Sequence, residues 1–375
     1  MSLYMDISVL TLATFITGIQ RVTREYTTRM VRNAEDVKLL HYNAAEDCYH
    51  LIDNDRFIDY YVNHKGKKEK MITKETVSLE KIGTDDIFFD IDAAWMSKNK
   101  RSYILPILKK QGVTIISHIY DIISITHPQY CLERGVYNFA DYITAHLLYD
   151  DKILVNAQAT KSSIEKLCES ISVKCPPIEV IPLGADFTGI KKADEEKVPE
   201  KVRNAASKPF VLMVGTVEPR KNHKMLLDAY DIGLKNKGFS IVFAGYMGWN
   251  MEEFSERLQN HPDYQNGVYH FEGLDDNAIS YLYEKAECLA FLSYTEGYGL
   301  PIVEALARNV KVVAADVDVY KEVGKDKCIW VEQDNCEALA KAVTSGEISN
   351  QSEGIVVHSW DECFERVRKS VLNEK

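Results

Sequence analysis

An α/β fold of two doubly wound, Rossmann-like domains facing a cleft follows from three observations on the sequence. Short apolar runs rich in β-branched and aromatic residues alternate with longer amphipathic segments, the pattern of parallel strands covered by helices on both faces. At 375 residues the chain exceeds one comfortable core and fits two ordinary domains. A charged stretch poor in apolar periodicity, Gly184 to Lys208, divides two such alternating halves.

Taken in order, the strand candidates of the first half are Tyr4–Leu10, Val37–Tyr42, Ile87–Ile91, Val113–Ser117, Ile153–Val155 and Glu179–Ile181. Those of the second half are Phe210–Val214, Ser240–Ala244, Val268–Phe271, Cys288–Leu292, Lys311–Ala314 and Cys328–Val331. Helix-length patterns lie between them, among them Asn222–Leu234, Asp275–Ala286 and Pro301–Ala307. The expected boundaries are a first domain over 1–184, a linker over 185–208 and a second domain over 209–358. Ser359-Trp-Asp-Glu362 is a capping-box pattern that opens a final helix over 359–375. Asn63 to Lys81, built around Lys-Gly-Lys-Lys-Glu-Lys, reads as a solvated excursion, and residues 42–78 carry no functional signal.

Composition narrows the function classes. A net charge of -11 gives no general attraction to nucleic acid or anionic lipid. Eight cysteines without a C-x-x-C pair read as the reduced thiols of a cytoplasmic protein, not as a disulfide framework or a zinc site. The apolar stretch Ile7 to Ile19 follows Asp6 and precedes Arg21 and Arg24, the reverse of a signal peptide, and is too short to span a bilayer.

The strongest motif is Glu296-Gly297-Tyr298-Gly299-Leu300-Pro301-Ile302-Val303-Glu304, directly after a buried-strand pattern. Glycines let the backbone approach a ligand, and Pro301 suits the first helical position. The new helix would offer free N–H groups to a diphosphate. A carboxylate accepts hydrogen bonds from vicinal hydroxyls, so an acid on each side suits a sugar grip. Either acid alone is equally well explained as a surface group or a complement to the helix dipole; the whole string is not.

That string resembles the E-x7-E signature of the retaining glycosyltransferases grouped as family 4, which have the two-domain GT-B fold. The resemblance implies that Glu296 holds donor-sugar hydroxyls and Glu304 the nucleotide ribose. It also implies that Gly297, Tyr298, Gly299 and Leu300 meet donor sugar and phosphate, and that the last helix crosses back to an acceptor-side first domain.

A second junction reads Val214-Gly215-Thr216-Val217-Glu218-Pro219-Arg220-Lys221-Asn222. It predicts a strand, a glycine and a proline-led helix with Arg220 and Lys221 in its first turn. Cations there oppose the dipole by about 0.3–1 kcal/mol, which suggests an anion between them and the amides, or simply solvated bases. In the resembled family many members carry Gly-Arg and a later Lys that clamp the diphosphate. Lys221 matches that Lys. Thr216 stands where the Arg would be, and the string resembles the subgroup with Glu-Pro-Arg-Lys-Asn, in which Arg220 supplies the missing charge.

Signals in the first half are sparser. Thr17-Gly18-Ile19-Gln20 precedes a helical pattern of Ile19, Val22, Tyr26 and Met30, with Arg21, Arg24 and Arg32 outside. Gly18 is a loop glycine that, by the resemblance, faces the donor phosphates. Ser117-His118-Ile119-Tyr120-Asp121 ends a strand, with His127-Pro128 beyond it. The family's usual His-Asp appears here as Tyr120-Asp121. Asp121 is therefore the expected acceptor-side or donor-sugar group, and His118, displaced by two positions, is either a ligand group or a satisfied core histidine.

The resemblance implies a retaining hexosyltransferase that needs no metal and no cofactor beyond its nucleotide-sugar substrate, with Glu296, Lys221, Arg220 and Asp121 at the reacting centre. GDP-mannose is the favoured donor, with a UDP-sugar as the alternative. The expected acceptor is a glycan or lipid-linked glycan of surface polysaccharide synthesis. The expected location is cytoplasmic or peripheral at the inner membrane face. Two other readings share the phosphate clamps: another GT-B enzyme (an inverting transferase or epimerase), and a non-catalytic sugar-nucleotide-binding protein. No G-x-G-x-x-G follows the first strand, which disfavours an NAD-linked dehydrogenase.

Overall fold

The computed structural model describes residues 1–14, 17–185, 192–345 and 357–373. Met1–Gly184 and Ser359–Lys375 form one compact unit, and Ala185–His358 form a second.

The first unit holds β1 (Leu3–Asp6), β2 (Val37–Asn43), β3 (Cys48–Ile52), β4 (Ile72–Val77), β5 (Ile87–Asp90), β6 (Thr114–Ile119), β7 (Lys152–Val155) and β8 (Ile178–Val180). They form one sheet in the order β4-β3-β2-β1-β5-β6-β7-β8. The run from β2 to β8 through β1 is parallel, whereas β3 and β4 add to its edge antiparallel. This pair corrects the expectation of a solvated excursion over 63–81. β4 is an edge strand without a fully buried residue, so its polar sequence hid it.

The expected strand Tyr4–Leu10 is also too long. It ends at Asp6, and a short helix, Ser8–Leu12, follows. The Asp6 carboxylate accepts from the Ser8 backbone N–H at 3.0 Å and from the Ser8 hydroxyl, a local bond that turns the chain out of the sheet.

Under β1 and β5 lies a buried charge network. Arg101, fully buried, donates to Asp90 and to Asp6 (2.9 Å). His146 bridges Asp90 (3.1 Å) and Asp150 (2.8 Å). Burial disfavours the charged imidazole, yet Asp150 and Asp90 outweigh it and hold His146 up to about 9. Asp90 is a hub of this network.

The final helix, Trp360–Leu372, belongs to the first unit. Its capping box forms as expected: Ser359 Oγ accepts from Glu362 N at 3.2 Å, and Glu362 Oε2 accepts from Ser359 N at 3.0 Å. Trp360 is fully buried against Gly184, where an added Cβ would lie 2.5 Å from Trp360 N.

The second unit holds β9 (Phe210–Val214), β10 (Ser240–Ala244), β11 (Val268–Phe271), β12 (Cys288–Phe291), β13 (Lys311–Ala315) and β14 (Ile329–Val331). The sheet is parallel in the order β11-β10-β9-β12-β13-β14. Val211, Met213, Ile241 and Phe243 pack with Leu226, Leu227, Leu258 and Leu339 from the helices in one core. The strand order reverses between β9 and β12, the topological switch point where such sheets bind ligands beyond their carboxyl ends.

Part of the expected linker is ordered within this unit. The helix Glu200–Ala205 buries Val202 and Ala205. Asp194 N donates to Asn277 Oδ1 at 2.8 Å.

Candidate functional site

The two sequence motifs of the second half meet at that switch point. β9 ends at Gly215, whose φ of 129° disfavours any other residue. There a Cβ would lie 3.1 Å from Lys221 Cε. Gly245 closes in from β10: a Cβ on it would stand 2.0 Å from the Gly215 carbonyl oxygen. Glycine at both places lets the two strand ends and the Lys221 side chain share one small volume.

Pro219–Lys221 is a separate single turn and not the start of the following helix, which corrects the expectation. Asn222 adopts left-handed φ, ψ of 57° and 43°, and the helix begins only at His223. Its side chain donates to Asp334 Oδ1 at 2.9 Å, which anchors the break. Arg220 and Lys221 therefore do not oppose that helix dipole. Their charge is met instead by a carboxylate.

That carboxylate is Glu296. Its Oε1 accepts from Lys221 Nζ at 2.8 Å and from Ser293 Oγ at 3.0 Å. Its Oε2 lies 2.7 Å from Arg220 NH1. Burial alone would raise the carboxyl, but Arg220 and Lys221 bring it down to about 2, so it is ionised at any working pH. Arg220 also bonds the buried Glu218 and, at 2.7 Å, the Thr295 carbonyl. Lys221 Nζ sits 5.7 Å from the centre of the Phe291 ring, a cation–π contact that fixes its direction. All three charged side chains keep 13 to 15% of their surface open.

Gly297, Tyr298 and Gly299 are buried in the connecting loop, and Leu300 is half-buried. Gly299, at φ 109°, caps the helix Leu300–Leu306, which places Pro301 one position later than expected. Glu304 is 3% exposed and accepts from Tyr283 OH at 2.9 Å. Thr216 is half-buried beside Gly215, its methyl packed toward Gly248. The second unit thus brings Gly215, Thr216, Arg220, Lys221 and Glu296 together.

The sequence reading missed four supporting residues. Glu218 and Ser293 orient Arg220 and Glu296, Tyr320 OH donates to the Ser293 carbonyl at 3.0 Å, and Gly245 makes the close approach possible. Only Gly245 left a trace, as a glycine directly after a strand pattern.

In the first unit, Gly18 is the exposed first residue of the helix Gly18–Asn33, with open space where a Cβ would be. Asp121 is half-buried and accepts from Ile123 N at 2.9 Å. His118 is fully buried, stacked between Tyr120 and Tyr26, with Nε2 3.1 Å from Asn156 Oδ1. Burial pushes its imidazole down to about 4, so it is a neutral core ring. Its Nδ1 is buried without a hydrogen-bond partner, so the ring sits in the core with one nitrogen unsatisfied.

The chain is similar to glycosyltransferases. Residues 194–353, which include both second-unit motifs, match the family model for glycosyl transferases group 1. The Anabaena protein HepE, solved in complex with UDP and glucose, superposes with a TM-score of 0.65 at 12% identity over 99% of each chain. The fold is GT-B.

Two similar relatives come from Escherichia coli. The serotype-specific mannosyltransferase WbdA is 25% identical across 91% of this chain and 41% of its own length. The O-antigen chain mannosyltransferase B is 24% identical across 87% of this chain and 85% of its own. The chain thus spans about two fifths of the length of the WbdA relatives. Among the described residues no helix is long and apolar enough to cross a membrane.

Proposed function

We propose that the chain is a retaining glycosyltransferase that moves mannose from GDP-mannose to a glycan or lipid-linked glycan acceptor in surface polysaccharide synthesis. The observation that carries this reading is the pairing of Lys221 and Arg220 with Glu296 at the switch point of the second sheet. Two cations beside a hydroxyl-binding carboxylate suit a ligand that carries a diphosphate at one end and a hexose at the other. The mannosyltransferase relatives support the choice of sugar, and the group 1 family match supports the reaction class.

In this reading Lys221 and Arg220 neutralise charge on the departing diphosphate, and Glu296 orients the hexose. The bond between the anomeric carbon and the phosphate oxygen breaks. The acceptor hydroxyl oxygen bonds the same face of that carbon and loses its proton to the leaving diphosphate. The protein supplies no nucleophile, and the two cations do the work a metal does elsewhere.

The test is thermal stabilisation by a panel of nucleotide sugars, followed by transfer to a lipid-linked glycan and NMR of the product anomer. Stabilisation by GDP-mannose and an α-linked product support the reading. An inverted product sinks the retaining assignment. Binding without transfer or slow donor hydrolysis favours a sugar-nucleotide-binding protein.

A further inference from the structure

The hairpin that joins β2 to β3 gathers three side chains that neither the core nor the proposed transfer uses. Glu46 lies in the turn, while Cys48 and His50 are two apart on β3 and share a strand face. His50 Nε2 is 2.9 Å from Glu46 Oε2 and 3.6 Å from Cys48 Sγ, and that sulfur is 3.9 Å from Glu46 Oε2. Ligands bound to one tetrahedral zinc at about 2.0–2.3 Å stand roughly 3.3–3.6 Å from one another. The three donor atoms stand 2.9, 3.6 and 3.9 Å apart, so shifts of a few tenths of an ångström bring them to that spacing.

A second observation comes from outside the triangle. His50 Nδ1 lies 3.0 Å from the Thr73 backbone carbonyl. A carbonyl only accepts, so Nδ1 carries a hydrogen, and that bond holds the ring with Nε2 facing Cys48 and Glu46. Metal-binding histidines are fixed in this way by a hydrogen bond from the other ring nitrogen. His50 is 8% exposed and paired across to Thr76 of β4, so its ring is held in place.

We propose that Glu46, Cys48 and His50 bind one zinc-class divalent cation, with the fourth position open to water. Thiolate and imidazole donors select zinc or cobalt over magnesium or calcium. On binding, the Cys48 thiol releases its proton and the thiolate sulfur takes the metal. The cation ties the turn to β3 and, through the His50 bond to Thr73, to the β4 side of the sheet edge. This site is separate from the transfer reading and stands or falls without it.

The test titrates the reduced, metal-free 375-residue chain with Co2+ and follows the thiolate-to-cobalt charge-transfer absorption. Competition with Zn2+ then ranks the two ions. One equivalent is expected. The band should disappear in Cys48→Ser, and the affinity should fall at least about tenfold in Glu46→Gln and His50→Gln. Glu46 is exposed in its turn, so Glu46→Gln decides the matter even if the His50 variant fails to fold. Absence of a thiolate band in the wild-type protein, a band that survives Cys48→Ser, or unchanged affinity in Glu46→Gln overturns the proposal. The first of these means that a proton alone joins His50 to Glu46.

Discussion

Lys221 Nζ lies 2.8 Å from Glu296 Oε1, although 75 residues separate the two in the chain. Together with Arg220 on Oε2, this neutralises the carboxylate with two cations. In the proposed reading a donor enters by exchange, its phosphates drawing on the cations and its hydroxyls on the acid. The pair is thus poised between mutual neutralisation and a ligand that offers each a better partner.

Glu296→Gln should leave the fold intact, because its amide oxygen can accept from Arg220 and its NH2 can donate to the Ser293 hydroxyl oxygen. It should nevertheless lower turnover by about a hundredfold or more, the scale of one lost group at a developing charge. Lys221→Met should do the same. Steady-state kinetics with a circular-dichroism check on each variant decide this, and near-normal turnover in a folded Lys221→Met contradicts it.

Two glycine substitutions separate site geometry from folding. Gly215→Ala forces a strained φ and crowds Lys221 Cε at 3.1 Å and Nζ at 3.2 Å, both on a flexible side chain. It should cost about 1–3 kcal/mol and raise the donor KM. Gly245→Ala places a Cβ 2.0 Å from a backbone oxygen that cannot swing away. It should destabilise the second unit more than Gly215→Ala does, read from urea midpoints.

Gly184→Ala should loosen the last helix, since its Cβ would lie 2.5 Å from Trp360 N and 2.8 Å from the indole ring. Hydrogen exchange across Trp360–Leu372 should quicken in the variant. Unchanged protection there removes Gly184 from the docking account.

The buried His146 makes the first unit sensitive to alkaline pH. Its pKa in the fold, about 9, is above its ordinary 6.5, so the folded state binds this proton more tightly than the unfolded chain. The stability it adds is fully present below pH 6.5 and fades as pH rises to about 9. Exchange protection of the helix Glu133–Tyr149 should fall across that window. In Asp150→Asn, where one of the two carboxylates is gone, the fall should come at lower pH.

The second sheet was legible in the sequence almost strand for strand, because strands such as β10 and β12 are buried throughout and read as continuous apolar runs. The meeting of Lys221 with Glu296 was legible only as two strand-end motifs; the sheet order that adjoins β9 and β12 joined them. The turn at Asn222 was not legible, since a left-handed asparagine after Pro-Arg-Lys looks like the continuation of a helix. Glu46, Cys48 and His50 stayed hidden for another reason. Their spacing of two matches a strand face and no C-x-x-C template, and β4, whose neighbourhood supplies the Thr73 carbonyl, is too polar to announce itself.

Calorimetric binding of GDP and of GDP-mannose, the proposed donor, to the wild-type protein, Lys221→Met and Glu296→Gln tests the central claim most directly. Lys221→Met should weaken both ligands, because each carries the diphosphate. Glu296→Gln should bind GDP at least as tightly, since the cations lose a competing charge, and should lose the increment contributed by mannose. Equal binding of both ligands to all three proteins would contradict a sugar-diphosphate site at Lys221 and Glu296.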